Sequence, residues 1–273
     1  MLVSNAASPI AIDNSFLIDA ARDAGDIAMD FFRNGYAQWD KGGDNPVTEA
    51  DIAVNQMLHA RLGGAFPGYG WLSEETEDNA VRLDANRVWI VDPIDGTRAF
   101  MRGEPHFTIC IALVEAGRPI AAVVFNPATG ECFEATHGGG ARLNGSPIFA
   151  SGAAKLDGAR LLTSEALLAH KGWAEPWPVM HVEMRNSIAY RLALVASGQF
   201  DGCLSLSSKF DWDIAAADLI LNEAGGCLSR RDGTPYIYNQ AEPRHPGLIA
   251  AGGKLHALLL DRAGRWQPVK SGS

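Results

Sequence analysis

Residues 88–100 read VWIVDPIDGTRAF, and this stretch most constrains how the chain can fold. Val88, Trp89, Ile90 and Val91 form a short apolar run, as expected of a buried strand. Pro93 and Gly96 then predict a turn that stops it. Asp92 and Asp95 therefore sit where a buried strand opens into a loop. Two carboxylates so placed repel each other unless a proton or a cation lies between them. Hard divalent cations prefer oxygen ligands, and Mg²⁺ takes a few carboxylates together with phosphate oxygens and waters. Taken alone, the segment is also compatible with an acidic surface turn.

The rest of the chain narrows the choice. Its 273 residues are enough for one large or two small domains with ample core. A hydrophobic content of 47% with 20% charged residues is ordinary for a globular protein. The formal net charge of −9 argues against a bulk nucleic-acid binder, which needs a basic surface. It leaves room for a small phosphorylated substrate, because bound metals invert the local field. No apolar run approaches the length of a membrane span, so none is expected. Residues 1–13 read as a loose tail without the basic start and apolar core of a signal peptide. Cys110, Cys132, Cys203 and Cys227 are scattered and lack CxxC spacing, which predicts reduced, structural thiols and a cytoplasmic setting.

Periodicity predicts a helix from Ser15, capped by Asn14 or Ser15 and ended by Gly35. After a polar loop at 41–46, Thr48 caps a second helix running to about Leu62, with Asp51 in its first turn. Trp71 and Leu72 begin a short strand ending at Ser73-Glu74-Glu75, and residues 76–85 read as a mobile surface loop. Residues 98–105 read as a connection. Segments 106–115, 120–126 and 131–135 are strands joined by turns, and Asn144-Gly145 is a hairpin signal. Such a meander favours a mixed α/β architecture around a largely antiparallel sheet. Beyond a hinge at 150–155, strands are expected at 159–163, 200–206, 227–229 and 248–251. Helices are expected at 188–197 and 213–224, while 166–177 is ambiguous.

Four motifs recur in order: Pro46-Val47-Thr48-Glu49-Ala50-Asp51, Ser73-Glu74-Glu75, Asp92-Pro93-Ile94-Asp95-Gly96-Thr97 and Trp212-Asp213-Ile214-Ala215-Ala216. In order and spacing, from about Phe16 to Ala251, the chain resembles the inositol monophosphatase family of Mg²⁺-dependent phosphatases. The resemblance implies a single domain over 1–273 with a layered α-β-α-β-α fold like that of fructose bisphosphatases. About 14–150 carry most of the metal ligands, and about 151–270 complete the site. It implies two or three Mg²⁺ ions. Glu74, Asp92 and the Ile94 carbonyl would hold the first, Asp92, Asp95 and Asp213 the second, and Glu74 would share a weaker third. Asp51 and Thr97 would orient and activate the attacking water. The Gly96 and Thr97 amides would hold phosphate oxygens, with Asp95 and Asp213 also facing substrate. Lithium sensitivity and a homodimer are further implications. Asp51 and Asp213 each have a simpler reading as helix caps, and for Asp213 capping and ligation are compatible.

Two departures bear on substrate. Ser73 stands where many members have glycine. Leu206 stands seven residues before Asp213, where inositol monophosphatases often carry a glutamate that reaches substrate hydroxyls. Lys209 is the candidate contact for a second phosphate, or else an exposed lysine. The continuation Arg98-Ala99-Phe100 resembles bacterial 3′(2′),5′-bisphosphate nucleotidases and histidinol-phosphate phosphatases. A haloacid-dehalogenase reading needs DxDGT, one residue shorter than the DxxDGT present. Walker A, GxSxG and HExxH motifs are missing, which excludes NTPase, serine-hydrolase and zincin readings. A regulatory protein acting through partners on the same fold is the rival from outside enzymology.

Overall fold

Arg87–Asp95 forms the strand about which the layers are arranged, and all nine of its residues are buried. It outlasts the predicted apolar run. Its pairing with Thr108–Glu115 slips between Asp92 and Asp95, so the chain passes Pro93 through a bulge instead of ending there. A bulge tolerates a residue without an amide proton and re-aims the side chains on either side of it.

The computed structural model describes residues 14–43 and 45–267, and the expectation of a loose tail at 1–13 lies outside them. The described helices are α1 (Asn14–Asn34), α2 (Glu49–Ala65), α3 (Thr97–Met101), α4 (Glu165–Leu168), α5 (Ile188–Ala196), α6 (Asp211–Glu223) and α7 (Gly253–Gly264). A seven-stranded sheet places Gly70–Ser73 parallel to the central strand. On the other side an antiparallel meander runs through Thr108–Glu115, Arg118–Asn126, Glu131–Thr136, Ala141–Leu143 and Ser146–Pro147. Asn144 and Gly145 make the last turn with φ of 49° and 79°, the backbone that a two-residue hairpin demands. A five-stranded sheet follows, in the order His181–Glu183, Arg160–Leu162, Gly202–Ser205, Leu248–Gly252 and Gly226–Arg230. Its first three strands are parallel and the remainder antiparallel.

Alternation along the central strand assigns the layers. Trp89 and Val91 face Leu17, Ala24 and Ala28 of α1 and Val54, Leu58 and Leu62 of α2. Val88 and Ile90 face the opposite way, onto α5 and α6. Those two helices also cover Leu162, Cys203 and Ala250 of the smaller sheet. Leu255, Leu259 and Ala263 of α7 close its outer face over Leu161, Leu204 and Ile249. The stack is α-β-α-β-α, as the resemblance implies. Every residue of α5 is buried, which suits a helix lying between two sheets and accounts for side chains that are apolar except at Tyr190 and Arg191. Cys110, Cys132 and Cys203 are buried free thiols and Cys227 is half-buried.

Three further local expectations change. Residues 98–105, read as a connection, begin within α3. The tract 76–85 contains a 3-10 turn at Ala80–Asp84, pinned by Arg82. That guanidinium is buried and binds Asp78, Asn239 and the Gln240 carbonyl. The ambiguous segment 166–177 contributes only the end of the short α4, capped by Ser164.

The start of α6 is fixed from below. Asp211 is fully buried, and its oxygens accept from His245 Nε2 at 2.6 Å and from the Asn239 amide at 2.7 Å. An Asp211→Ala variant leaves both donors unpaired. A destabilisation of about 2–5 kcal/mol is expected, read as a lower urea midpoint at unchanged slope.

Candidate active site

The bulge in the central strand turns Asp92 and Asp95 toward the first turn of α6. Carboxylate oxygens of Asp92, Asp95 and Asp213 lie within 4.8 Å of one another, although Asp213 is far away in sequence. Each is held by the backbone. Asp92 Oδ1 accepts the Ile94 amide at 3.0 Å. Asp95 Oδ2 accepts the Ser187 hydroxyl at 2.5 Å and the Ala189 amide at 2.7 Å, so the N-terminus of α5 grips it from the second half of the chain. Asp213 Oδ2 accepts the Phe210 amide at 2.7 Å, so capping and membership of the cluster coexist.

Burial raises all three carboxyl groups, and neighbouring carboxylates add to this at Asp92 and Asp213. Asp92 stands well above the usual carboxylate range through burial, then the charges of Glu74, Asp95 and Asp213. Burial raises Asp95 too, against hydrogen bonds from Ser187 and Ala189 and the charges of Arg191 and Lys209. Asp213 is pushed up to about 7 by burial and by Asp95, opposed by the Phe210 amide and Lys209. Glu74 lies outside the tight trio but lines the same cavity. Burial pushes it to about 8, with Lys41 pulling it back and Asp213, Glu75 and Asp51 adding to the rise. A divalent cation fits this donor set: the ligands are hard oxygens, and they otherwise retain protons for want of positive charge. The Ile94 carbonyl, expected as a further ligand, accepts the Thr97 hydroxyl at 3.2 Å.

Asp51 caps α2 and also meets Thr97. Its Oδ2 accepts the amide and hydroxyl of Thr48, at 2.8 and 2.6 Å, in a capping box. Its Oδ1 accepts Thr97 Oγ1 at 3.3 Å. Burial brings the Asp51 carboxyl to about 6 against the hydrogen bonds of Thr48, with Glu75 raising it further and Thr97 lowering it. Gly96 has φ of 99°, and a Cβ there would meet the His106 carbonyl at 2.7 Å, so only glycine makes this corner before Thr97 opens α3.

Glu74, Asp92, Asp95 and Asp213 line a cavity of about 570 Å³. Gly96, Thr97, Arg98, Asn186 and Ser208 line it beside the carboxylates, and Lys41, Asn45 and Pro46 close one side. Lys41 Nζ binds Glu75 at 2.7 Å and lies 3.7 Å from Glu74. Burial alone lowers the Lys41 ammonium, but Glu75, Glu74 and Asp51 outweigh that and raise it. Of the two alternatives for Lys209, the exposed lysine does not hold. It is 9% exposed, and its ammonium donates to the Ser207 hydroxyl at 2.6 Å and to the Ser207 and Ser208 carbonyls. Burial lowers it, Asp213 opposes, and Arg191 adds to the lowering.

Ser187 and the α5 amides have no counterpart among the sequence expectations. A serine before an apolar run signals a helix cap. That its hydroxyl reaches a carboxylate 92 positions earlier has no local signal. Lys41 and Asn186 likewise join the cavity only through the fold.

The chain matches the model of the inositol monophosphatase family over residues 13–265. It is 36% identical over 236 residues to an inositol-1-monophosphatase of Rhizobium meliloti, covering 81% of this chain and 83% of that one. To a histidinol-phosphatase of Chlorobaculum parvum it is 33% identical over 221 residues, covering 79% and 84% of the two chains. The crystal structure of the extragenic suppressor protein suhB from Bartonella henselae superposes with a TM-score of 0.79 at 26% identity, covering 95% of this chain and 98% of that one. With the layered fold, the acidic cluster and a family match over nearly all its length, this chain belongs to the inositol monophosphatase family.

Proposed function

We propose that this protein is a Mg²⁺-dependent phosphomonoesterase that hydrolyses a small phosphorylated metabolite. The observation that carries the reading is the convergence of Asp92, Asp95 and Asp213 from both halves of the chain onto one buried point. When bound, Mg²⁺ supplies positive charge to phosphoryl oxygens, lowers the pKa of water and eases departure of the leaving oxygen. Glu74, Asp92, Asp95, Asp213 and the Ile94 carbonyl are the residues that would hold two or three such ions.

The remaining groups position and move protons. Thr97 Oγ1 fixes the attacking water and relays its proton toward Asp51 Oδ1. The anchoring of Asp51 by Thr48 keeps that oxygen aimed, and its titration near 6 suits a general base working close to neutrality. The amides of Gly96 and Thr97 take phosphoryl oxygens as a small anion nest. Inositol monophosphate, 3′-phosphoadenosine 5′-phosphate and histidinol phosphate are the competing substrates. Names of similar proteins support the first and third. On the same reading the enzyme is lithium-sensitive, cytoplasmic and a homodimer, by family likeness. Among the described residues no helix is long and apolar enough to cross a membrane.

Phosphate release is expected to require Mg²⁺ and to stop in excess chelator. Asp92→Asn and Asp213→Asn should each lower kcat/KM by about a hundredfold or more, and undiminished turnover in either variant would overturn the reading. A second expectation concerns stability. Carboxyl groups raised to about 6, 7 and 8 bind protons more tightly folded than unfolded. The metal-free protein therefore loses stability as pH rises from about 4 toward 8. Mg²⁺ competes with those protons, so the Tm gained on adding it should be larger at pH 8 than at pH 6 in differential scanning calorimetry. A gain that shrinks with pH would remove the buried carboxylates from the metal site.

A further inference from the structure

The cavity that holds the carboxylates also has an aromatic wall. Phe210 and Trp212 both line it, with ring centroids 4.6 Å apart and planes within 7° of parallel. Phe210 is 38% exposed, and an exposed large apolar side chain beside a polar site is informative where a buried one is not. The pair is held firmly. The Phe210 amide caps α6 through Asp213, its backbone pairs with Arg244, and the Arg244 guanidinium lies 5.8 Å from its ring centroid.

The placement of the acidic lining points the same way. Glu74, Asp92, Asp95 and Asp213 are the carboxylates that line the cavity, and all four belong to the phosphoryl end. Position 206, where a hydroxyl-reading glutamate is expected of an inositol phosphatase, is apolar. Leu206 packs into the outer core with Leu204 and Ile249, away from the cavity. A ring of hydroxyls needs acceptors distributed about it, whereas a planar π-system needs a flat apolar face. Stacking on an aromatic side chain is tolerant of ring identity and strong enough to set a preference.

Resting on the phosphomonoesterase reading, we infer that the alcohol released by this enzyme carries a planar aromatic or heteroaromatic group, which lies against the Phe210–Trp212 stack. In the reaction the ester P–O bond breaks, water oxygen forms the new P–O bond, and the leaving oxygen departs protonated as the free alcohol.

The test compares kcat/KM at saturating Mg²⁺ for two aromatic esters, 3′-phosphoadenosine 5′-phosphate and histidinol phosphate, with myo-inositol 1-phosphate and glycerol 2-phosphate. One of the aromatic esters should exceed both non-aromatic ones by about tenfold or more, which corresponds to roughly 1.4 kcal/mol of differential transition-state binding. The ratio of that ester to glycerol 2-phosphate should fall about tenfold in Phe210→Leu and recover in Phe210→Tyr. Adenosine or histidinol should inhibit wild-type enzyme competitively at concentrations where inositol does not, a readout independent of any variant. Preference for the inositol ester, or a ratio unmoved by Phe210→Leu, overturns the aromatic wall while leaving the phosphatase standing. Failure to hydrolyse any of the four esters in Mg²⁺ overturns the phosphatase reading and this inference with it.

Discussion

Mutual repulsion among buried carboxylates is the constraint on which the rest of this structure depends. Asp92, at 1% exposure, and Asp95, at 7%, cannot relax into water, and Asp213 brings a third negative group to the same point. The fold answers with oriented dipoles. Asp95 receives the Ser187 hydroxyl and an amide from the start of α5, while Asp213 receives the amide at the start of α6. Helix N-termini favour negative charge, so two helices aim their positive ends at the place where the strand delivers its acids. What remains uncompensated appears as raised carboxyl pKa values, and that residue of unbalanced charge is what a cation site consists of.

This requirement explains the layering. A helix that offers its N-terminus to one sheet while a second sheet packs on its other side is buried on every face, and every residue of α5 is buried, Arg191 included. The two sheets therefore cannot drift apart without releasing Asp95. The same logic reaches further from the site. Asp211 fixes the first turn of α6 through His245 and Asn239, and Arg82 ties Asn239 to the turn at 80–84. Asp213 is placed by groups that never enter the cavity.

Much of this was legible in the sequence, and unevenly so. The strand at 88–91, the cap at Thr48, the meander and its Asn144-Gly145 turn are local matters, set by side-chain alternation and backbone permissiveness. The acidic motifs were legible as motifs. The continuation of the strand through Pro93 was not, because it depends on a register slip against a neighbouring strand. Nor was the burial of Arg82, which beyond its neighbour Asp78 binds Asn239, 157 residues away in the chain. The helix α7 had a signal in Leu255, Leu259 and Ala263 at four-residue spacing, one that a reading centred on the late strands passed over. Lys209 shows the converse: a lysine near an active-site motif reads as a substrate contact, yet the turn at 207–209 had carbonyls nearer to its ammonium.

The division of labour within α6 follows from these placements. Asp211 points into the core, Asp213 toward the acidic cluster, and Trp212 between them lines the cavity with Phe210. Successive residues at a helix start diverge by about 100° each, so three neighbouring positions can serve anchoring, charge and substrate contact without competing for space. Phe210 lies before the helix proper and gives Asp213 only its backbone amide, while its ring stacks on Trp212. Changes there alter the cavity wall while the backbone bond that orients the carboxylate persists. A scaffold whose phosphoryl end is fixed by repulsion and helix dipoles can thus present different leaving-group surfaces, because the residues that set the two are adjacent in sequence but separate in mechanical role.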